Sequence, residues 1–366
     1  MIQPAKRVAH VTFDMGIGGT EQVICQLVRG TPDMKHMVVC IDGGPGAMGQ
    51  ALSDEGVAVH ALCRKPGLDL QLARELRRLV QRFGVDILHC HQYTPFVYGS
   101  LSALGSPVRV IFTEHGRFYP DRSSWKRRLV NPLLAAQADA ITAISRATAG
   151  ALEEFEGIPR PRIQVIYNGI DQESAGSFDR SSLLAELGVP EDATVVGTIG
   201  RLDTIKNFPM MIKAFARIAA DYPKLYLVII GDGPERENLQ SVVRTYGLDG
   251  RVRLTGFIDN PRRYLEVFGA FLLSSFSEGT SMSLLESMVA GRPSVVTRVG
   301  GNAELVQDGE TGLVVDSEDE AGFSDAIDRL LAQPAAADLL GAAARARYLE
   351  MFTVEHMTEQ YRQLYA

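Results

Sequence analysis

Cysteine is scarce in this chain and poorly placed for chemistry. Its 366 residues include only Cys25, Cys40, Cys63 and Cys90. None forms a C-x-x-C pair, which excludes a zinc ribbon and a disulfide scaffold and points to reduced thiols in a cytosolic protein. Long apolar runs are missing as well. The longest, such as 225–230 and 268–273, fall far short of the ~20 residues that span a bilayer. The opening MIQPAKRVAHVTFDM lacks the continuous apolar core of a signal peptide. Positive charge is in deficit, with 37 basic residues against 44 acidic ones and a net charge of −7. A general nucleic-acid binder needs the opposite balance to displace counterions. A Walker A sequence is absent, and so is a D-x-D acidic pair at a strand end. Two G-x-G-x-x-G candidates fail at the third place, where Glu21 and Arg236 stand, and this disfavours a dinucleotide-dependent dehydrogenase.

What is present describes a globular chain of about two domains. Apolar residues make up 46% and charged residues 22%. Charge is unevenly divided: residues 1–170 hold 19 basic and 15 acidic side chains, and residues 171–366 hold 18 and 29. Short apolar runs alternate with amphipathic ones. The pattern predicts strands at 7–13, 37–41, 57–62, 86–90, 108–113, 140–144 and 163–167 in the first half. The second half repeats it at 194–199, 225–230, 252–254, 270–273, 293–297 and 312–315. Helices are predicted at 69–83, 207–221, 234–246, 283–290, 320–332 and 335–351. In the first of these, Leu72, Leu76, Leu79 and Val80 make one stripe and Arg74, Arg77, Arg78 and Arg82 the other. Strand–helix alternation implies right-handed βαβ units and parallel sheets. The expected fold is therefore α/β, two doubly wound Rossmann-like domains meeting within the polar stretch 168–178. Such sheets bind ligands at the carboxyl ends of their strands, and a cleft faced by both domains is the default site.

Several stretches bear on the chemistry. Gly16–Glu21, after the first strand, supplies glycines that let backbone amides approach an anion or a sugar. A tight strand-to-helix turn is the plain alternative, and for Gly231-Asp232-Gly233-Pro234 it is the favoured one. Gly200-Arg201-Leu202-Asp203-Thr204-Ile205-Lys206-Asn207 follows a strand with two cations, which can neutralise a leaving diphosphate without a metal. Ser274–Gly301 contains two carboxylates, Glu278 in a small-residue loop and Glu286 about one turn into a helix. Leu284, Leu285 and Met288 flank Glu286, a setting unlike that of a solvated charge. Carboxylates accept hydrogen bonds from sugar or ribose hydroxyls. His89 and His91 share a strand face, so a metal pair is conceivable, although no third ligand is evident. His115 follows another strand in a Gly-containing loop and is the better candidate for a cleft residue. Between 109 and 134, Arg109, Arg117, Arg122, Lys126, Arg127 and Arg128 outnumber Glu114 and Asp121, with Trp125 alongside. That composition suits an anionic membrane or acceptor as well as a solvated helix face.

Taken in order, these residues resemble glycosyltransferase family 4, a large group of retaining sugar transferases of the GT-B fold. The resemblance covers nearly the whole chain. It rests on GGTE at 18–21, HCH at 89–91, TEH at 113–115, YNGID at 167–171, GRLDTIKN at 200–207, GDGP at 231–234, EGTSMSLLE at 278–286 and AGRPSVV at 290–296. It implies an acceptor-binding domain at 1–170, a nucleotide-sugar-binding domain at 171–350 and a C-terminal helix at 351–366 that packs back on the first domain. Arg201 and Lys206 would hold the diphosphate, Gly18 and Gly19 would lie near the donor phosphates and the acceptor, and Glu286 would bind the ribose hydroxyls. Glu278 would meet the transferred sugar, with Gly279, Thr280, Ser281 and Met282 supplying backbone contacts, and His115 would line the sugar pocket. Glu21, His91, Trp125, Lys126, Arg127 and Arg128 are candidates for the acceptor or the membrane. Where many relatives have proline or phenylalanine, this loop has Thr280 and Ser281, which bear on which sugar fits.

The expected activity is transfer of a hexose or N-acetylhexosamine from a UDP- or GDP-sugar to a hydroxyl of a glycan or lipid-linked acceptor, in bacterial polysaccharide or glycolipid synthesis. No metal or other cofactor is expected. The expected location is cytoplasmic, with peripheral contact at an anionic membrane face and no nucleic-acid partner. The alternatives are an epimerase or hydrolase of the same shape, and a non-catalytic nucleotide-sugar-binding partner subunit. The intact set Arg201, Lys206, Glu278 and Glu286 argues against the latter.

Overall fold

The computed structural model describes residues 5–116, 124–172 and 178–366. Arg117, Arg122 and part of the 168–178 stretch lie outside the described residues, and so does the side chain of Lys126. The chain divides into two compact units, residues 1–169 with 354–366, and residues 170–353.

The first unit runs β1 (Arg7–Thr12), α1 (Gly19–Gly30), β2 (Lys35–Cys40), α2 (Gly46–Asp54), β3 (Ala58–Ala61), α3 (Leu70–Phe83), β4 (Ile87–His91), α4 (Tyr93–Ala103), β5 (Arg109–Glu114), α5 (Trp125–Gln137), β6 (Ala140–Ala143), α6 (Arg146–Glu156) and β7 (Ile163–Val165). The seven strands lie in the order β3-β2-β1-β4-β5-β6-β7, all parallel. The winding direction therefore reverses between β1 and β4, and a crevice opens there at the carboxyl ends of the strands.

The second unit runs α7 (Arg180–Glu186), β8 (Thr194–Ile199), α8 (Phe208–Ile218), β9 (Leu225–Ile230), α9 (Arg236–Thr245), β10 (Val252–Gly256), β11 (Phe268–Leu273), α10 (Met282–Val289), β12 (Ser294–Thr297), α11 (Asn302–Leu305), β13 (Leu313–Val315), α12 (Glu320–Ala332) and α13 (Pro334–Met351). Its six parallel strands follow β10-β9-β8-β11-β12-β13, with the reversal between β8 and β11. The last helix, α14 (Val354–Tyr365), belongs to the first unit.

Every strand expected from the sequence is present; the central ones are buried on both faces, and such strands read as unbroken apolar runs. Helices α1, α2, α4, α5 and α6 fill the intervals between the first-half strands, and α7 and α11 are additions too short to show helical periodicity. Helix α3 shows how local sequence sets an element. Asp69 caps its start, its Oδ1 accepting from the amides of Gln71 and Leu72 at 3.0 and 3.1 Å. Gly84 ends it at φ +58°, in the left-handed region. Leu72, Leu76 and Val80 are buried, whereas Arg74, Arg78 and Arg82 face solvent.

The two faces of the first sheet differ in chemistry. One carries Ala9, Val11, Leu88, Cys90 and Phe112 in a wholly apolar core with α3 and α4. The other packs Val8, Ile87 and Ile111 against α1 and α14, and it also buries His10, His89, His91, Thr113 and Thr142. Helix α14 is fixed to this face by two fully buried tyrosines. Tyr365 Oη lies 2.7 Å from His89 Nδ1, and Tyr361 Oη lies 3.2 Å from Thr113 Oγ1. Arg362 adds an ion pair with Asp33 at 2.7 Å.

Candidate functional site

In the second unit the loops after β8 and β11 meet at the reversal point. The β8 loop carries Arg201 and Lys206, and the β11 loop carries Glu278. Lys206 Nζ donates to Glu278 Oε1 at 2.6 Å, and Ser275 Oγ donates to the same oxygen at 2.6 Å. The two loops are also joined through backbone. The Phe276 amide donates to the Ile205 carbonyl at 2.8 Å, and Ser274 Oγ donates to the carbonyls of Lys206 and Asn207. Arg201 is exposed on the same loop as Lys206. The arrangement presents two cations, one already aligned by a carboxylate, at the mouth of a strand crevice.

The glycines of this region serve close backbone approach. Gly300 has φ +49°, and a Cβ there would lie 1.8 Å from the Glu278 carbonyl oxygen. The Gly301 amide donates to the carbonyls of Glu278 and Gly279 at 3.2 and 3.1 Å. The pair therefore pins the segment that carries Glu278. Gly300→Ala is expected to cost about 2 kcal/mol and to lower Tm by about 4–8 °C in a thermal melt. Gly231 and Gly233 act similarly, since a Cβ on either would strike the β8 loop, 2.0 Å from the Gly200 oxygen or 2.4 Å from that of Leu202. The GDGP stretch is thus a packing turn.

Glu286 lies in α10 with its carboxyl almost wholly buried. Burial pushes the carboxyl up to about 7, and Arg262 pulls the other way. Arg262 Nε lies 3.4 Å from Glu286 Oε1, and its Nη2 donates to the Asp171 carbonyl at 3.3 Å. Arg262 was not anticipated. It stands in a 3₁₀ turn, Pro261–Val267, and its own neighbours give no signal of a partner on another element. The start of α10 has no side-chain cap, and a helix start favours an anion or a hydroxyl. Gly279, Thr280, Ser281 and Met282 form that approach, with Thr280 and Ser281 buried.

In the first unit, α1 begins at Gly19 with Gly18 at its cap position and no side-chain cap. The Glu21 carboxyl folds back over this end, and a Cβ on Gly18 would lie 2.3 Å from Glu21 Oε2. Burial pushes the Glu21 carboxyl above its ordinary pKa, a backbone hydrogen bond opposes this, and Asp14 nearby adds to it. A phosphate at this helix start would meet a carboxyl group. This weighs against the donor-phosphate role expected for Gly18 and Gly19, and it suits a hydroxylated ligand.

The histidines are gathered more closely than their spacing implies. His10 joins His89 and His91, and the three can bring one nitrogen each within 4.8 Å of the others, the third ligand that the sequence did not reveal. That spacing is within a transition metal's reach, yet both nitrogens of each ring already have hydrogen-bond partners. His91 is fully buried, so its expected role as an acceptor contact is corrected: it touches other imidazoles instead. His115 sits at the end of β5 with Nε2 2.8 Å from His91 Nδ1. Burial pushes His115 down to about 3, and His91, His89 and His10 are lowered well below the ordinary range by the same cause. All four are uncharged near neutral pH.

Arg127 also requires correction. Its Nη1 donates to buried Glu156 at 2.7 Å, and Asn131 Nδ2 donates to the same carboxylate at 2.9 Å. Its guanidinium is committed to the packing of α5 on α6, not offered to an acceptor or membrane. Arg128 remains exposed, and so do Trp125, Leu129 and Leu133, which recur at every fourth residue along one side of α5.

Two family models match this chain. Glycosyl transferases group 1 matches residues 179–347, and Glycosyltransferase Family 4 matches residues 17–174. N-acetyl-alpha-D-glucosaminyl L-malate synthase of Bacillus anthracis is 30% identical over 367 aligned positions, 97% of this chain and 95% of that protein. The chain belongs to glycosyltransferase family 4. Another relative, the lipopolysaccharide core biosynthesis glycosyltransferase LpsE of Rhizobium meliloti (strain 1021), is 36% identical over 60% of this chain and 62% of that one. Among solved structures, Anabaena HepE in complex with UDP superposes with a TM-score of 0.87 at 22% identity, covering 98% of this chain and 99% of the other. That likeness establishes the two-domain GT-B fold. As a family 4 member the chain is a transferase whose relatives are bacterial glycosyltransferases of polysaccharide and glycolipid synthesis. Among the described residues, no helix is long and apolar enough to cross a membrane.

Proposed function

We propose that this glycosyltransferase moves a hexose or N-acetylhexosamine from a UDP- or GDP-sugar to a hydroxyl of a glycan or lipid-linked acceptor, without a metal and with retention of configuration. The observation that carries it is the Lys206–Glu278 pair at 2.6 Å at the second sheet's reversal point, with Arg201 exposed on the same loop as Lys206. Lys206 and Arg201 neutralise the diphosphate as its charge develops, a task otherwise given to a cation held by acidic residues. Glu286, steadied by Arg262, accepts from the ribose hydroxyls. Glu278 meets the transferred sugar. The C1–O bond to the diphosphate breaks as the acceptor oxygen bonds C1 from the same face, and the acceptor proton passes to the leaving phosphate. Complexes of HepE with UDP and with UDP-glucose, and the diphospho-undecaprenol acceptor in the name of a Campylobacter jejuni relative, support this choice of donor and acceptor class.

The test is thermal shift against UDP-, GDP- and ADP-sugars with EDTA present. A ligand that binds only the folded state raises Tm, by an amount equivalent to about 2.7 kcal/mol at a hundredfold excess over Kd. A shift selective for one nucleotide, lost in Arg201→Ala, is expected. No shift with any donor would contradict the reading.

The lipid-linked acceptor brings the first unit to a membrane. Trp125, Leu129 and Leu133 are 68%, 66% and 74% exposed, beside exposed Arg128. An apolar stripe next to cations suits an anionic bilayer surface. Replacing all three apolar residues by serine is expected to weaken binding to anionic vesicles by at least about a hundredfold in a flotation assay. Unchanged flotation would remove the membrane from the picture.

A further inference from the structure

A cavity lies at the amino ends of the first sheet's strands, opposite the crevice at their carboxyl ends. Arg7 and Val8 at the start of β1, Lys35, His36 and Met37 at the start of β2, and residues 56–58 leading into β3 line it. Every lining residue belongs to the first unit. The volume is about 670 Å³, within the range of small-molecule sites, ~300–1,000 Å³. The walls are largely apolar. Val8, Val28, Met37 and Val85 are buried residues that line them, and half-buried Met34 and Phe83 add to them. His36 adds no charge near neutral pH, because burial holds its ring below the ordinary value against the Thr31 carbonyl and Asp33.

The charge lining the cavity is one-sided. Four cations, Arg7, Arg29, Lys35 and Arg82, stand against one carboxylate, Glu55. Glu55 is engaged by Arg29, whose Nε donates to Oε2 at 3.0 Å and whose Nη2 donates to Oε1 at 2.5 Å. Arg7 Nη1 donates to the Phe83 carbonyl at 2.7 Å, a neutral partner that leaves the charge standing. Lys35 and Arg82 are exposed and make no side-chain hydrogen bond or ion pair among the described residues. The nearby carboxylates do not line the cavity: Asp33 pairs with Arg362, and Asp86 accepts from the Arg7 amide at 2.8 Å. Helix dipoles give two of the cations a plainer role, since Arg29 and Arg82 lie in the last turns of α1 and α3. Each helix end brings about half a negative charge. The ends of α1, α2 and α3 together therefore offset about half of the excess of three. Lys35 stands on a strand and answers no helix end. Positive charge remains beside an apolar wall.

We propose that this cavity binds a dissolved amphiphilic anion, a phosphate or carboxylate group joined to a small apolar body. The anionic group lies among Arg7, Lys35 and Arg82, and the body lies against Val28, Met37 and Val85. A neutral sugar would leave the cations unanswered, and inorganic phosphate would leave the apolar walls in water. The inference does not rest on the proposed function, whose charged pair stands after β8 and β11 in the second unit.

The test follows the methionine methyl spectrum of the full chain, labelled with ¹³C at those methyls, as octyl phosphate is added below its micelle concentration. Met34 and Met37 line the cavity, and Met34→Leu and Met37→Leu assign their signals. The expected result is a saturable shift of these two methyls, with Met210, Met211 and Met288 of the second unit unmoved. Octyl phosphate is expected to bind at least about tenfold tighter than either inorganic phosphate or octanol. The double variant Lys35→Ala/Arg82→Ala changes two exposed side chains and is expected to weaken binding about tenfold or more. Lys35→Arg/Arg82→Lys is expected to keep it. Absence of a shift at Met34 and Met37 would overturn the site, and so would shifts that never saturate or that spread to the second unit. Octanol binding as tightly as octyl phosphate, or undiminished binding in the alanine variant, would overturn the anion. Flotation decides against a lipid surface. The alanine variant is expected to float with phosphatidylglycerol vesicles as the wild-type chain does, and a loss of flotation would overturn the dissolved ligand in favour of a bilayer.

Discussion

Lys206→Met is expected to slow release of the nucleoside diphosphate by about 10²- to 10³-fold, the range seen when one preorganised charge-stabilising donor is removed. Lys206 Nζ is only partly exposed and already held by Glu278 at 2.6 Å, so on the proposed function it would meet the developing charge without reorganising. The substitution does more than remove a contact. It leaves the Glu278 carboxylate with Ser275 as its remaining side-chain donor among the described residues, in a place that excludes most water. Stranding one member of such a pair costs about 3 kcal/mol or more. The double variant Lys206→Met/Glu278→Gln is therefore expected to recover most of the lost Tm but none of the lost rate. Melts and steady-state rates of the two single variants and the double variant give both quantities. Recovery of rate along with Tm would mean that Lys206 serves the fold and not the chemistry.

Donor affinity is expected to fall about tenfold per pH unit as pH drops below about 7, and Glu286 is the cause. Burial raises its carboxyl to about 7, only partly countered by Arg262. The sign follows from which form binds. Ribose hydroxyls bound at Glu286 would donate to the ionised carboxylate, so a bound donor favours the ion and lowers the pKa of the carboxyl group. Donor binding then releases a proton near neutral pH and weakens in acid, until the pKa of the complex is reached. Stability of the unliganded fold runs the other way. A raised carboxyl contributes most below its ordinary value and loses that contribution as pH rises through about 7. Glu286→Gln is expected to bind donor weakly at every pH and to release no proton. Calorimetry of donor binding in buffers of different ionisation enthalpy reads both effects. A pH-independent wild-type affinity between about 5 and 8 would remove Glu286 from the ribose.

Much of this was legible in the chain itself. Strands buried on both faces announce themselves as apolar runs, and the cap at Asp69 with Gly84 fixes α3 without reference to anything distant. Glu286 was identifiable because Leu284, Leu285 and Met288 leave no water for a bland charge, and all three are buried. What failed was pairing across elements. His10 was missed as a third imidazole because its neighbour is set by strand order, with β1 lying beside β4 and His10 opposite His89. Arg262 reaches Glu286 from another element, and Arg127 was misjudged because its counter-ion, Glu156, comes from the end of α6. A side chain's composition is local and its partner is not. The mode of attachment of α14 is of the same kind, since Tyr361 and Tyr365 read as ordinary residues of an amphipathic helix until the buried threonines and His89 are placed opposite them.

The most direct test of the donor site is a crystal structure of the full chain with the nucleotide sugar selected by thermal shift, grown with EDTA. The predicted result places diphosphate oxygens about 3 Å from Lys206 Nζ and from the first amides of α10. The ribose hydroxyls lie on the Glu286 carboxylate and the sugar against Glu278. A diphosphate bound away from Lys206 and Arg201, or a ribose that leaves Glu286 untouched, would contradict it.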